Sequence, residues 1–353
     1  MITIVTRRRA AAAGAAASLI LAGCGASPGP GAVSSSSQVA ATPTSGDTST
    51  FANPVYDLDF PDPMILRDGN RYLAVATNGN GSNVQVATSA DLVHWEQGED
   101  ALPKVPGWSS PGKVWAPEIS VMSGDRFLLY YTTVAPDGTR QCISVAEAPR
   151  AEGPYVDASR RPLVCDPVEN GGSIDPHPFR DEDGQRYLYW KNDGNAVGAD
   201  TWLWAQRLDD DGTGLVGEPS RLIKQQLAWE GSLIEAPFVV RDGATYHLFY
   251  SANDYGSEAY AEGHATGDLP TGPFRKDEEP VLATNEFAAG PGGGALLVDQ
   301  GRVWMAYHAW PPDAVGSAIP GRQLWLSEVT LDGARTVVEP PQATIADPPR
   351  PAG

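Results

Sequence analysis

The chain has 353 residues, a formal charge of −19 at neutral pH, 38 glycines, 31 prolines and three cysteines. Such an acidic surface repels phosphate backbones, which excludes non-specific nucleic-acid binding and leaves neutral ligands such as sugars unaffected. The abundance of turn formers argues against long helices and for a β-rich fold, and the length suffices for one large domain.

At the N-terminus Arg7, Arg8 and Arg9 precede an Ala-rich apolar stretch that is too short to span a bilayer and ends in Leu21-Ala22-Gly23-Cys24. Leu-Ala-Gly-Cys resembles a bacterial lipobox, so residues 1–23 are expected to be a lipoprotein signal peptide whose cleavage leaves a lipidated Cys24. The consecutive arginines also resemble part of a twin-arginine export signal. This predicts a bacterial protein held by lipid on the extracellular side of the cell membrane. With Cys24 acylated, Cys142 and Cys165 remain as a pair in an oxidising compartment, either bridged or present as two buried thiols. Residues 24–52, rich in Ser, Thr, Pro, Gly and Ala, cannot bury a core and are expected to be a flexible tether. The folded unit is predicted over 53–347, followed by a frayed tail at 348–353 marked by Pro348, Pro349 and Pro351.

Inside the folded unit one pattern recurs: a glycine, two residues, an aromatic, then an apolar β-rich run. It occurs at Gly69 with Tyr72, Gly124 with Phe127, Gly184 with Tyr187, Gly243 with Tyr246 and Gly301 with Trp304, the glycines 55, 60, 59 and 58 residues apart. Each copy reads as a hairpin, with turns such as Asp183-Gly184 and second strands such as Phe127 to Tyr131. Further strand-like runs follow, among them Val84 to Ala87, Trp202 to Ala205 and Leu324 to Ser327. Four short strands per repeat make a propeller blade, so the expected fold is all-β, a five-bladed β-propeller; a pair of two-sheet β-sandwiches is the alternative.

Before the first four repeat turns lies an acid beside or near a proline: Asp62-Pro63, Pro117-Glu118, Asp175-Pro176 and Glu235-Ala236-Pro237. The prolines are 54, 59 and 61 residues apart, so the acids are expected at similar places on successive blades, converging on the central opening. Crowded, partly buried carboxylates push one another's pKa values apart, the division of labour that glycosidic bond hydrolysis requires.

Phe60-Pro61-Asp62-Pro63, Trp115-Ala116-Pro117-Glu118, Ser173-Ile174-Asp175-Pro176 and Ile234-Glu235-Ala236-Pro237 resemble the motifs of glycoside hydrolase family 43, with supporting stretches from residue 53 to about 340. The resemblance implies an inverting mechanism. Asp62 matches the general base, Glu235 the general acid, and Asp175 the carboxylate that tunes and holds the acid; base and acid carboxyls should lie roughly 6.5 to 9.5 Å apart. Glu118 matches a position more often structural than catalytic. Trp115 is the expected aromatic platform for a sugar, with Phe60 a second candidate. His308 and Arg322 resemble blade-five residues that face the centre, where some members bind the sugar or a calcium ion. His308 is the candidate ligand for such a calcium, although many members carry a histidine where this chain reads Gly290-Pro291-Gly292-Gly293-Gly294.

The reading that follows is a monomeric exo-acting α-L-arabinofuranosidase that needs no cofactor and acts on arabinan or arabinoxylan fragments. A β-xylosidase, an endo-arabinanase, a furanosidase on a less common glycan, and a non-catalytic sugar-binding propeller are the alternatives. Serine-hydrolase, nucleotide and zinc signatures are absent, and Asp209-Asp210-Asp211-Gly212 lacks the ligand alternation of a calcium loop.

Overall fold

The computed structural model describes residues 50–123 and 125–346; the signal peptide, Cys24, most of the tether, Gly124 and the tail lie outside the described residues. The fold is a five-bladed β-propeller in which every blade is an antiparallel meander, its strands in sequence order. Blade one is Met64–Asp68, Arg71–Ala76, Gln85–Ser89 and Trp95–Gln97; blade two is Trp115–Val121, Phe127–Val134 and Gln141–Ala148. Blade three is Ser173–Arg180, Arg186–Asn192, Trp202–Leu208 and Leu215–Lys224; blade four is Ile234–Asp242, Thr245–Ala252, Ala261–Gly267 and Phe274–Lys276. Blade five is Ala289–Asp299, Arg302–Trp310, Gln323–Asp332 and Arg335–Val338. The repeat glycines among the described residues fall where the sequence pattern predicts, at the turn between first and second strands. Gly69, Gly184, Gly243 and Gly301 have φ between 59° and 89°, which a β-carbon would resist.

The hydrophobic core is divided into five clusters, one between each pair of adjacent blades. Leu66, Leu73 and Val75 of blade one pack with Ile119, Leu129 and Tyr131 of blade two; Leu128 and Tyr130 pack with Leu188 and Trp190 of blade three. Tyr189 and Leu203 meet Val239 and Tyr250 of blade four, and Phe238 and Phe249 meet Met305 and Tyr307 of blade five. The fifth cluster closes the ring, joining Leu297 and Trp304 of blade five to Ile65 and Tyr72 of blade one. Because each sheet is buried on both faces, its strands read as continuous apolar runs rather than as alternation.

Two features depart from the sequence reading. The tether was expected to run to residue 52, but Thr50–Ala52 is a strand paired with Thr344–Ala346, and Phe51 is buried in the closing cluster. Blade two has three regular strands, not four. The segment after its third strand meets it through isolated bridges, Glu147 with Val156 and Ile143 with Val164, through a hydrogen bond from Ser144 Oγ to Asp157, and through a disulfide between Cys142 and Cys165.

Candidate active site

At the axis each blade begins with the same step. Asp62, Ala116, Asp175, Ala236 and Gly293 have left-handed backbones, with φ of 53°, 41°, 56°, 51° and 63°. In the first four a proline follows. An L-residue in that conformation costs about 1–2 kcal/mol, so the surroundings must hold it there. In blades two to five the step breaks the ladder register. The residue before each step faces the blade's second strand at Thr77, Thr132, Lys191, Ser251 or His308.

These second-strand side chains tie each blade to the next. Thr77 Oγ1 accepts the Ala116 N–H at 2.8 Å, Thr132 Oγ1 that of Asp175 at 3.1 Å, Ser251 Oγ that of Gly293 at 2.7 Å and His308 Nδ1 that of Asp62 at 3.1 Å. Lys191 can only donate, and there the Ala236 N–H goes instead to Asp175 Oδ2 at 3.0 Å.

The prolines are therefore equivalent and the acids are not. Asp62 and Asp175 occupy the step itself, Glu235 stands one residue before it, and Glu118 two residues after it. This corrects the expectation that all four acids share one place. Glu118 lines the channel below, with Oε2 2.7 Å from His177 Nδ1, and burial raises its pKa against the opposing pull of that imidazole.

Asp62, Asp175 and Glu235 are brought together, each in its own environment. Thr77 Oγ1 donates to Asp62 Oδ2 at 2.5 Å, while the Arg322 guanidinium lies 3.5 Å from Oδ1. Glu235 accepts from Lys191 Nζ at 2.8 Å and from the Tyr260 hydroxyl at 2.7 Å, one on each oxygen. Burial, reinforced by the charges of Glu235 and Asp62, holds Asp175 well above the usual carboxylate range; Lys191 and the Ala236 N–H offset it only in part. The ring of Tyr260, whose hydroxyl holds Glu235, stacks on His308 with centroids 5.7 Å apart. Gly293 is required here, since a β-carbon on it would lie 2.8 Å from His308 Nδ1 and 3.3 Å from Asp62 Oδ1. Beneath them an axial cavity of about 30 Å³, lined by Asp62, Asp175, Glu118 and Gly293, has room for water.

Burial, with Arg322 adding to it, drives the His308 pKa far down, so the ring is neutral. Its Nδ1 takes the Asp62 N–H and its Nε2 faces Arg322 at 3.4 Å. A calcium ion does not fit at His308: one ring nitrogen is engaged, the other faces a cation, and the neighbouring step is glycine. Trp115 is half-buried at the start of blade two's inner strand. Phe60 is 1% exposed and packs edge-on against Tyr56 at 5.3 Å, so it belongs to the core and offers no sugar platform. The guanidinium of Arg322 also lies over the exposed Tyr255 ring at 4.8 Å. Sequence reasoning missed Lys191, Tyr260, Thr77 and Ser251. The one local signal was a lysine ending the apolar run Tyr187-Leu188-Tyr189-Trp190.

Residues 51–334 match the family model described as glycosyl hydrolases family 43. The chain belongs to glycosyl hydrolase family 43. It is 24% identical over 279 residues to the beta-D-galactofuranosidase xynD of Aspergillus niger, covering 75% of this chain and 78% of that protein. It is 27% identical over 268 residues to the extracellular exo-alpha-(1->5)-L-arabinofuranosidase ArbA of Cellvibrio japonicus, covering 70% and 73%. A solved thermostable family-43 glycoside hydrolase superposes with a TM-score of 0.76 at 27% identity, covering 85% of this chain and 99% of that one. Family 43 membership makes the chain a glycoside hydrolase whose substrate is a poly- or oligosaccharide.

Proposed function

We propose that this protein is an inverting exo-glycosidase that removes terminal α-L-arabinofuranosyl residues from arabinan or arabinoxylan oligosaccharides. The observation that carries the reading is the meeting of three carboxylates with unlike partners: Asp62 beside Arg322, Glu235 between Lys191 and Tyr260, and Asp175 buried between them. Two relatives whose names specify furanosides favour a furanose over a xylose.

In this reading Asp62 takes a proton from a water as its oxygen attacks the anomeric carbon. The bond from that carbon to the leaving group breaks as Glu235 gives its proton to the departing oxygen. Each turnover leaves Asp62 protonated and Glu235 ionised, and exchange with solvent resets both. Asp175, its pKa raised by burial and by the charges of Glu235 and Asp62, accepts the Ala236 N–H and so fixes the backbone that carries Glu235. Trp115 would stack on the sugar and Arg322 would reach its hydroxyls. A lipid on Cys24 would hold the monomer outside the membrane, where its substrates are found.

A panel of nitrophenyl α-L-arabinofuranoside, β-D-galactofuranoside and β-D-xyloside, with linear arabino-oligosaccharides, tests this. The arabinofuranoside should give the highest kcat/KM with single sugars released, and Asp62→Asn and Glu235→Gln should each lower kcat by about 100-fold or more. Proton NMR should show the inverted anomer first. A xyloside preference or internal cleavage would move the assignment to a xylosidase or endo-arabinanase, and saturable sugar binding without turnover to a sugar-binding propeller.

A further inference from the structure

At four of the five equivalent second-strand positions the side chain accepts the next blade's step N–H: Thr77, Thr132, Ser251 and His308. The fifth is Lys191, which has no lone pair to offer once protonated. A lysine there cannot make the blade-to-blade hydrogen bond that the other positions make, and Asp175 takes it over. It also buries an ammonium whose side chain is 1% exposed. A buried cation is unfavourable unless closely paired, so its partners show what it serves. Those partners are Glu235 Oε2 at 2.8 Å and Asp193 Oδ1 at 3.5 Å.

We propose that Lys191 is a positioning residue for Glu235: anchored inside blade three, it fixes the rotamer of the glutamate and sets the pH above which the glutamate no longer carries a proton to the leaving group. The inference rests on the reading of Glu235 as general acid. With Lys191 on Oε2 and the Tyr260 hydroxyl on Oε1, both oxygens of Glu235 are accepting hydrogen bonds, the arrangement of a carboxylate. The charged and titratable groups around this pair are Asp193 and Asp175 from blade three, Tyr260 from blade four and, beyond Tyr260, Asp62. Burial opposes the lysine's charge, but Glu235, Asp175 and Asp193 together outweigh it and keep the ammonium protonated. A proton taken up by Glu235 has to displace one of these two contacts, and it is through this geometry that Lys191 acts on the acid.

The signs of the two tests are opposite. Removing the cation favours the protonated acid, so Lys191→Met should move the alkaline limb of the kcat/KM profile up by about one pH unit or more. The same variant should lower kcat with little change in KM, because the lysine side chain is only 1% exposed and reaches the site through Glu235. Asp193→Asn removes one of the acids that share the lysine's charge, leaving more of it to Glu235, and should move the limb down. Lys191→Arg, which keeps the charge, should restore the limb of the wild type. Profiles are taken with whichever nitrophenyl glycoside the wild type hydrolyses, on variants whose melting curves show a folded protein. If Lys191→Met does not fold, the downward shift in Asp193→Asn decides. An unmoved limb in the folded variants overturns the proposal. If the wild type hydrolyses no glycoside, it is the hydrolase reading that fails. A carboxyl-carbon NMR titration of Glu235, with and without Lys191→Met, needs no turnover and still decides whether the lysine sets its protonation.

Discussion

Glu262 is fully buried behind the glycine step of blade five. Ser251 Oγ donates to its Oε2 at 2.7 Å, the Gly294 N–H reaches the same oxygen at 3.4 Å, and Oε1 has no partner among the described residues. Burial pushes its pKa from 4.5 up to about 8. The folded chain therefore keeps a proton that the unfolded chain has released, so this contribution to stability is complete below about 4.5 and is lost as the pH rises to about 8. Glu262→Gln retains an acceptor for Ser251 and removes the titration. Its melting temperature should gain on the wild type steadily as the pH rises from 5 to about 8, read from thermal melts across that range; a gap that stays constant would show that Glu262 does not titrate there. Asp175, also raised, carries the same sign. Residues of this kind divide sharply in legibility. Asp62, Asp175 and Glu235 could be found because the adjoining prolines recur at the blade period. Glu262, Lys191 and Tyr260 could not, because burial and contacts such as that between Lys191 and Glu235, 44 positions apart, are made only when strands from two blades meet.

At the scale of the strands, the glycine and aromatic repeat identified five hairpins because turn geometry is local: in a tight turn a left-handed backbone favours glycine, which adopts it at no steric cost. The fourth strand of blade two was expected on the same periodicity and is absent for an equally local reason. Between residues 149 and 163 the chain carries Pro154 and Pro162, which cannot donate to a ladder, and Arg150, Glu152, Asp157, Arg160 and Arg161, which favour solvent. The disulfide between Cys142 and Cys165 takes over the work of the missing ladder by closing a separation of 23 residues. Replacing both cysteines by serine should lower stability by about 3 kcal/mol, the scale expected for a loop of that size. Melting curves of the variant and of reduced wild type should coincide. Below the melting transition glycosidase activity should persist, because no inner-strand step depends on the bridge.

A propeller must also close, and here closure depends on segments almost three hundred residues apart. Thr50–Ala52 pairs with Thr344–Ala346, the Val55 N–H donates to the Leu324 carbonyl at 2.9 Å, and the Phe60 N–H to the Arg322 carbonyl at 2.7 Å. The Asn53 side chain donates to the Leu326 carbonyl at 2.9 Å and accepts the Leu326 N–H at 3.0 Å. Nothing in the sequence around Phe51 announces this, since the run of Ser and Thr before it is that of a tether and the partner strand lies at the other end of the chain. Phe51, Val55 and Tyr56 are buried between blades five and one, and at roughly 2 kcal/mol each they contribute about 6 kcal/mol. That is comparable to the whole stability of an ordinary domain. A chain beginning at Ser49 should melt with the full-length protein, whereas one beginning at Asp57 should be largely unfolded at room temperature or melt far lower, with exposed apolar surface at the seam between blades five and one. Asn53→Ala, which removes the two-way clasp on Leu326 without touching the apolar residues, should fall between them, at a loss of about 2 kcal/mol. Far-ultraviolet circular dichroism melts of the three would order them. Equal melting temperatures for the Ser49 and Asp57 chains would mean that the ring holds without its N-terminal clasp.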